Sequence, residues 1–201
     1  HIFSVNGGIL FTSDKNLKFH PTNIGVNGNI TCATQVNKKI AFGTTSGYFI
    51  WDGRQILHYK DGIQITCLLF GTQDILWIGT DGHGLINCFP NMSNIITYQL
   101  GDSYAPVRAI MERGNSLLVG TKGNGLMTFN LQNDTLRLSR ITNVGIGQRQ
   151  NSVLALCQQK RGGEIWIGTD GEGLKKYSNG KVQDMKFLSS RARQMVRSVY
   201  S

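Results

Sequence analysis

Four carboxylates, Asp81, Glu164, Asp170 and Glu172, are the groups by which this chain would do acid–base chemistry, because a pair flanking a glycosidic bond is what sugar cleavage needs. Three of them sit in glycine-rich turns, behind Thr80 or Thr169, and Thr121-Lys122 opens a third such turn. These turns lack the makings of a phosphate or calcium loop. A strand-like run follows where a phosphate loop needs a helix N-terminus, and the carboxylates are too few for calcium, which takes several oxygen ligands. Thr and Asp are expected to bond within their own turns. The histidines His1, His20, His58 and His83 lack zinc spacing, so no metal is expected. There is no Gly-Xaa-Ser-Xaa-Gly elbow, no spacing that points to a triad, and no cofactor signature. A second group suits recognition rather than cleavage. Gln64, Tyr104, Arg108, Arg149, Asn151 and Arg193 are amides, guanidiniums and a phenol, fitted to sugar hydroxyls and carboxylates, with ordinary loop solvation as the plainer role of each. Trp51, next to Asp52-Gly53-Arg54, offers a flat face on which a sugar can stack if it is partly exposed. Trp77 and Trp166 share one repeat position and are expected to pack between units.

The elements that must position these residues are repeats. Gly-Thr-Xaa-Gly-Xaa-Gly-Leu begins at Gly79, Gly120 and Gly168, each time behind a short apolar run, with looser copies at Gly43 and Ser4. Self-similarity at about 40 residues belongs to propeller blades. In the clearest unit, Val107–Met111 alternates as an innermost strand A, and Ser116–Val119 is apolar without alternation, as for a strand B covered on both faces. A glycine turn leads into strand C at Leu126–Asn130, and an outer strand D follows at Thr135–Leu138. The fold class is therefore all-β, a β-propeller of four-stranded antiparallel blades. Full blades are expected at 29–59, 64–100, 106–142 and 152–187, with a partial one at 1–20 and strand A of a further or closing blade at 194–201. The chain is read as about five blades' worth, either a closed ring or a piece of something larger. Loops that lead into strand A gather at one mouth of a propeller, and Gln64, Tyr104, Arg108, Arg149, Asn151 and Arg193 lie in or beside them.

Bulk properties are compatible with this reading. The chain has 201 residues, 25 glycines and three prolines, and the glycines are taken as turn residues. No apolar run approaches the roughly 20 residues that cross a bilayer. Cys32, Cys67 and Cys157 fall at equivalent repeat positions, so they are read, with Cys88, as small core residues rather than disulfides. The net charge of +9 is concentrated beyond residue 136, where 12 basic residues face 4 acidic ones. Such a field favours an anionic partner.

The phrases Leu76-Trp77-Ile78-Gly79-Thr80-Asp81-Gly82-His83-Gly84-Leu85 and Ile165-Trp166-Ile167-Gly168-Thr169-Asp170-Gly171-Glu172-Gly173-Leu174 resemble the two-component regulator propeller repeat. That resemblance implies an extracytoplasmic, periplasmic sensor region of a Bacteroidetes-type hybrid histidine kinase. It implies a non-catalytic role in carbohydrate sensing, with a neutral or anionic glycan or oligosaccharide as ligand. The remainder of the sensor would be its partner, with homodimerisation open and no nucleic acid in this region. A protein-docking scaffold is the alternative, and a polysaccharide lyase or hydrolase on the same fold is the third reading.

Overall fold

The computed structural model describes residues 3–6, 9–89, 95–98, 105–132, 135–147, 149–160, 163–185 and 195–199. Among them are nineteen β-strands, one 3₁₀ turn at Thr72–Asp74 and no α-helix. The strands form five antiparallel sheets, each ordered as the chain runs. Sheet A holds β1 (Phe3–Asn6), β2 (Ile9–Ser13) and β3 (Phe19–Gly25). Sheet B holds β4 (Ile30–Val36), β5 (Lys39–Thr44), β6 (Gly47–Trp51) and β7 (Ile56–Asp61). Sheet C holds β8 (Ile65–Phe70), β9 (Leu76–Thr80), β10 (Leu85–Cys88) and β11 (Ile95–Tyr98). Sheet D holds β12 (Val107–Arg113), β13 (Ser116–Thr121), β14 (Leu126–Gln132) and β15 (Thr135–Thr142). Sheet E holds β16 (Val153–Gln158), β17 (Ile165–Thr169), β18 (Leu174–Ser178) and β19 (Lys181–Asp184). The chain divides into two compact units: one has sheets A and B and nearly all of C, the other has D and E.

Two boundaries differ from the sequence reading. Strand β3 runs on to Gly25, past the boundary at residue 20, because the Asp14–Lys18 turn delays its start. The Asp14 carboxylate bonds to the His20 ring and accepts from the amides of Lys18 and Asn16, contacts that hold its pKa below the ordinary aspartate value. Met195–Val199, expected as a strand, carry no strand, although the Val196 amide donates to the Thr169 carbonyl at 2.9 Å.

Within each unit, consecutive sheets bury apolar faces on one another. Leu10, Ile24 and Val26 of the first sheet region pack with Phe42, Phe49 and Trp51 of sheet B. The opposite face of sheet B, with Ala41, Tyr48 and Ile50, packs on Ile65, Leu76, Ile78 and Ile86. In the second unit Leu118 and Leu126 meet Val153, Ile165, Ile167 and Tyr177. Strand B needs apolar residues at every position because both of its faces are covered. Strand C of sheet E carries a buried charge: Lys175 stands where the C strands of sheets B and D place Phe49 and Met127, and it is 5% exposed. Its ammonium is held by Asp184 at 2.5 Å and Glu172 at 3.7 Å, the pairing a buried charge requires.

At Gly43, Gly120 and Gly168 the first glycine of the repeat is a packing seat, whereas the composition suggested a turn residue. A Cβ on Gly43 would lie 2.5 Å from Ile65, and one on Gly120 would lie 2.5 Å from Val153. Ile65 and Val153 belong to the innermost strand of the following sheet. At Gly168 the same place is taken by Val196, whose carbonyl oxygen would be 2.4 Å away. The second and third glycines are turn residues, with φ of 98° and 70° at Gly123 and Gly125 and 102° and 74° at Gly171 and Gly173.

All four cysteines are thiols. Burial raises the pKa of Cys32 to about 11, against a weaker lowering by Thr31. The thiolate is the form that alkylates, so Cys32 is expected to resist iodoacetamide at pH 8 in the folded chain and to react once urea is added. Mass spectrometry of the labelled chain checks this, and labelling of Cys32 at equal rates in both conditions would contradict it.

Candidate functional site

The antiparallel order places two kinds of loop at one end of every four-stranded sheet. Strand A begins there, strand B ends there, and the B–C turn and the loop leaving strand D lie beside them. In sheet D, Val107 pairs with Thr121 and Leu126 pairs with Thr142, which brings residues 122–125, 143–147 and 149–151 to that end. The Lys122 amide donates to the Pro106 carbonyl, and in sheet E the Asp170 amide donates to the Ser152 carbonyl. The equivalent bonds run from Thr45 to Asn29 and from Asp81 to Gln64. Buried threonines anchor the turns, since Thr44, Thr121 and Thr169 donate their hydroxyls to the carbonyls of Gly47, Gly125 and Gly173. The turns are thus closed by their own threonines, as the sequence implied.

Each strand A is bulged at its second residue. Register breaks between Ile30 and Cys32, Ile65 and Cys67, Val107 and Ala109, and Val153 and Ala155, leaving Thr31, Thr66, Arg108 and Leu154 as the extra residues. A bulge re-aims a side chain and ends regular pairing, and such features gather where a sheet does something besides pack. Thr31 spends its hydroxyl on the Ile65 carbonyl of the next sheet at 2.7 Å. Arg108 puts a half-buried guanidinium at the same place in sheet D.

The residues singled out from sequence fall into separate places. Arg149 is exposed in the loop that leads into β16, next to the strand that carries Arg108. Both lie at the same end of adjoining inner strands of one unit. Gln64 is exposed at the corresponding end of sheet C, in the other unit. Asn151 occupies the loop end, but its side chain is engaged. Its Oδ1 accepts from the Val144 amide at 2.8 Å, and its Nδ2 donates to the Gly123 carbonyl at 3.3 Å and to Asn143 Oδ1 at 3.1 Å. Asn151 therefore frames the loop. Tyr104 and Arg193 lie outside the described residues.

Trp51 is a correction. It is 9% exposed, packed among Phe42, Phe49, Leu10 and Ile24, so no ring face is open to a sugar. It also ends strand C, at the opposite end of the sheet from the loops above. The polar residues around it misled: Asp52 closes a turn by accepting the amides of Gln55 and Arg54, which hold its pKa below the ordinary aspartate value. Trp77 is buried and Trp166 half-buried.

Glu164 and Asp170 do not make a cleavage pair. Glu164 and Asp170 flank opposite ends of β17, whose five residues span about 17 Å at roughly 3.3 Å each, well beyond the separation in glycosidases. Glu164 is paired with Lys176 at 2.8 Å and Glu172 with Lys175 at 3.7 Å. Among the described residues no three His, Cys, Asp or Glu side chains group as metal ligands.

Sequence reasoning missed Lys122 as part of this end. It is exposed in the B–C turn, and the antiparallel order alone would have placed it beside the D–A loops.

Sheets of four antiparallel strands, joined D to A and stacked face on face, define a β-propeller. Residues 147–171 match the model of the family described as Two component regulator propeller, and the chain carries that family's repeat. The fold is shared with the extracellular domain of the hybrid two component system BT3049 from B. thetaiotaomicron, at 18% identity and a TM-score of 0.66 over 78% of this chain and 22% of that one. The extracellular domain of BT4673 from the same organism matches at 14% identity and a TM-score of 0.68, over 98% of this chain and 29% of that one. The chain thus spans under a third of either domain. Virginiamycin B lyase from Staphylococcus aureus has the same fold at 11% identity and a TM-score of 0.73, over 96% of this chain and 68% of that one. No curated protein sequence matches. No described helix is long and apolar enough to cross a membrane.

Proposed function

We propose that this chain is the non-catalytic ligand-recognition propeller of an extracytoplasmic two-component sensor, and that its ligand is an oligosaccharide, neutral or acidic, held where the strand-A loops lead in. The observation that carries the sensor reading is the family repeat at residues 147–171 within a fold shared by extracellular domains of two hybrid two component systems. The saccharide reading is supported by Arg108, at a bulge, lying at the same end of its unit as the exposed Arg149 and Lys122, donors suited to hydroxyls and carboxylates. The separation of Glu164 from Asp170 weighs against a hydrolase on the same fold. The periplasm is the compartment this reading assigns, and the rest of the sensor is the partner that would read a bound ligand through two arrangements of the receptor.

Titration calorimetry with a panel of neutral and uronic-acid oligosaccharides tests this. A member of the panel is expected to bind, and Arg108→Ala or Arg149→Ala to weaken it about 10- to 100-fold, the loss of one or two charge-assisted bonds. Absence of heat and of any melting shift across the panel would reject the saccharide reading, and time-dependent cleavage would reject the non-catalytic one.

A further inference from the structure

The loop between sheets D and E holds an apolar side chain out in water on a fixed frame. Ile146 is 92% exposed, more than any other large hydrophobic residue among those described as exposed. Isolated exposed hydrophobics are common and mean little by themselves. The frame distinguishes this one. Val144, two residues before, is buried, and the Asn151 side chain ties its amide to Asn143 and to Gly123 of the neighbouring turn. The Asn151 amide donates to the Gly147 carbonyl at 2.9 Å, and the Gly125 amide donates to the Asn151 carbonyl at 2.8 Å. Gly145 is pressed so closely on Gln150 that a Cβ there would lie 2.3 Å from its carbonyl oxygen, and Gly147 has φ +84°. These contacts hold Val144 and Gly145 before Ile146 and Gly147 and Asn151 after it. Arg149 and Lys122 are exposed near this frame, and residues 143–151 contain no acidic side chain.

We infer that this loop is a preformed docking prong for a protein partner that offers an apolar socket bordered by carboxylates. An apolar anchor with a charged rim is the anatomy of an interface hot spot, and a loop already fixed in place forfeits little conformational entropy on binding. Other occupants fit less well. Ile146 has no aromatic face for a sugar, two copies of the loop would oppose cation to cation, and one isoleucine buries too little area to hold a membrane surface.

The probe is an amphipathic peptide with leucine and phenylalanine on one face and glutamate on the other, titrated into the full 201-residue chain by fluorescence anisotropy. Ile146→Asp is expected to weaken binding by about tenfold or more, Ile146→Leu by less than about twofold, and Arg149→Glu by several-fold. Asn151→Ala, which loosens the frame while leaving Ile146 in place, is expected to weaken it several-fold as well. Since Ile146 is exposed, Ile146→Asp should melt with the parent, which separates docking from folding. The inference is overturned if no binding occurs, if Ile146→Asp binds as the parent does, if a lysine-faced peptide binds equally well, or if phosphatidylglycerol vesicles bind with the same dependence on Ile146. Arg108→Ala, which the saccharide reading needs, should leave peptide binding unchanged, so either reading can fail without the other.

Discussion

Replacing Phe42 with alanine is expected to lower the unfolding free energy by about 3–5 kcal/mol, read from urea denaturation. Phe42 has no exposed surface and stacks on Phe49 with ring centroids 4.9 Å apart and planes 22° from parallel. Its ring belongs to the cluster that joins sheet B to Leu10, Ile24 and Val26. Deleting it removes the transfer free energy of the ring and leaves a cavity that flanking β-sheets, fixed by their ladders, fill poorly. Ile56→Ala, at a position 39% exposed on the outer strand, should fall below about 1 kcal/mol. A loss at Phe42 no larger than that at Ile56 would mean that the sheet A–sheet B contact contributes little to stability.

Gly125→Ala is the second large effect. Gly125 has φ +70°, and an added Cβ would lie 2.4 Å from the Thr142 carbonyl oxygen and 2.8 Å from Asn151 Oδ1. The left-handed conformation alone costs a residue with a Cβ about 1–2 kcal/mol. The clash is with backbone, which cannot swing away, so the total should exceed about 3 kcal/mol. Gly171 isolates the first part: its φ is +102° but nothing lies within 4 Å of an added Cβ. Gly171→Ala should therefore cost about 1–2 kcal/mol, and equal losses at the two sites in thermal melts would show that the clash relaxes freely.

Gly125 closes its Gly-Xaa-Gly motif and Gly171 opens the equivalent one, but the sequence does not say which of the two positions meets another loop. What surrounds a turn depends on the loop that crosses it, and at Gly125 that is the Asn151 loop. The same limit explains Trp51. Its neighbours Asp52, Gly53 and Arg54 are polar, and local polarity pointed to an exposed indole, but the facing sheet covers it. The recognition residues show the limit from the other side. Arg149 and Arg108 share an end of adjoining strands, as loop counting implied, whereas Asn151 is occupied by three hydrogen bonds that no spacing rule foretells.

Strands, turns and the propeller class were determined by the sequence itself, because an apolar run between glycine turns has few other ways to satisfy its backbone, and a repeat makes the inference four times over. Which glycine is a turn and which is a seat for Ile65 or Val153, which polar side chain is spent on the frame, and which isoleucine is left in water were decided only in three dimensions. Those outcomes depend on contacts between residues far apart in the chain, and pairwise packing of that kind leaves no local pattern to read.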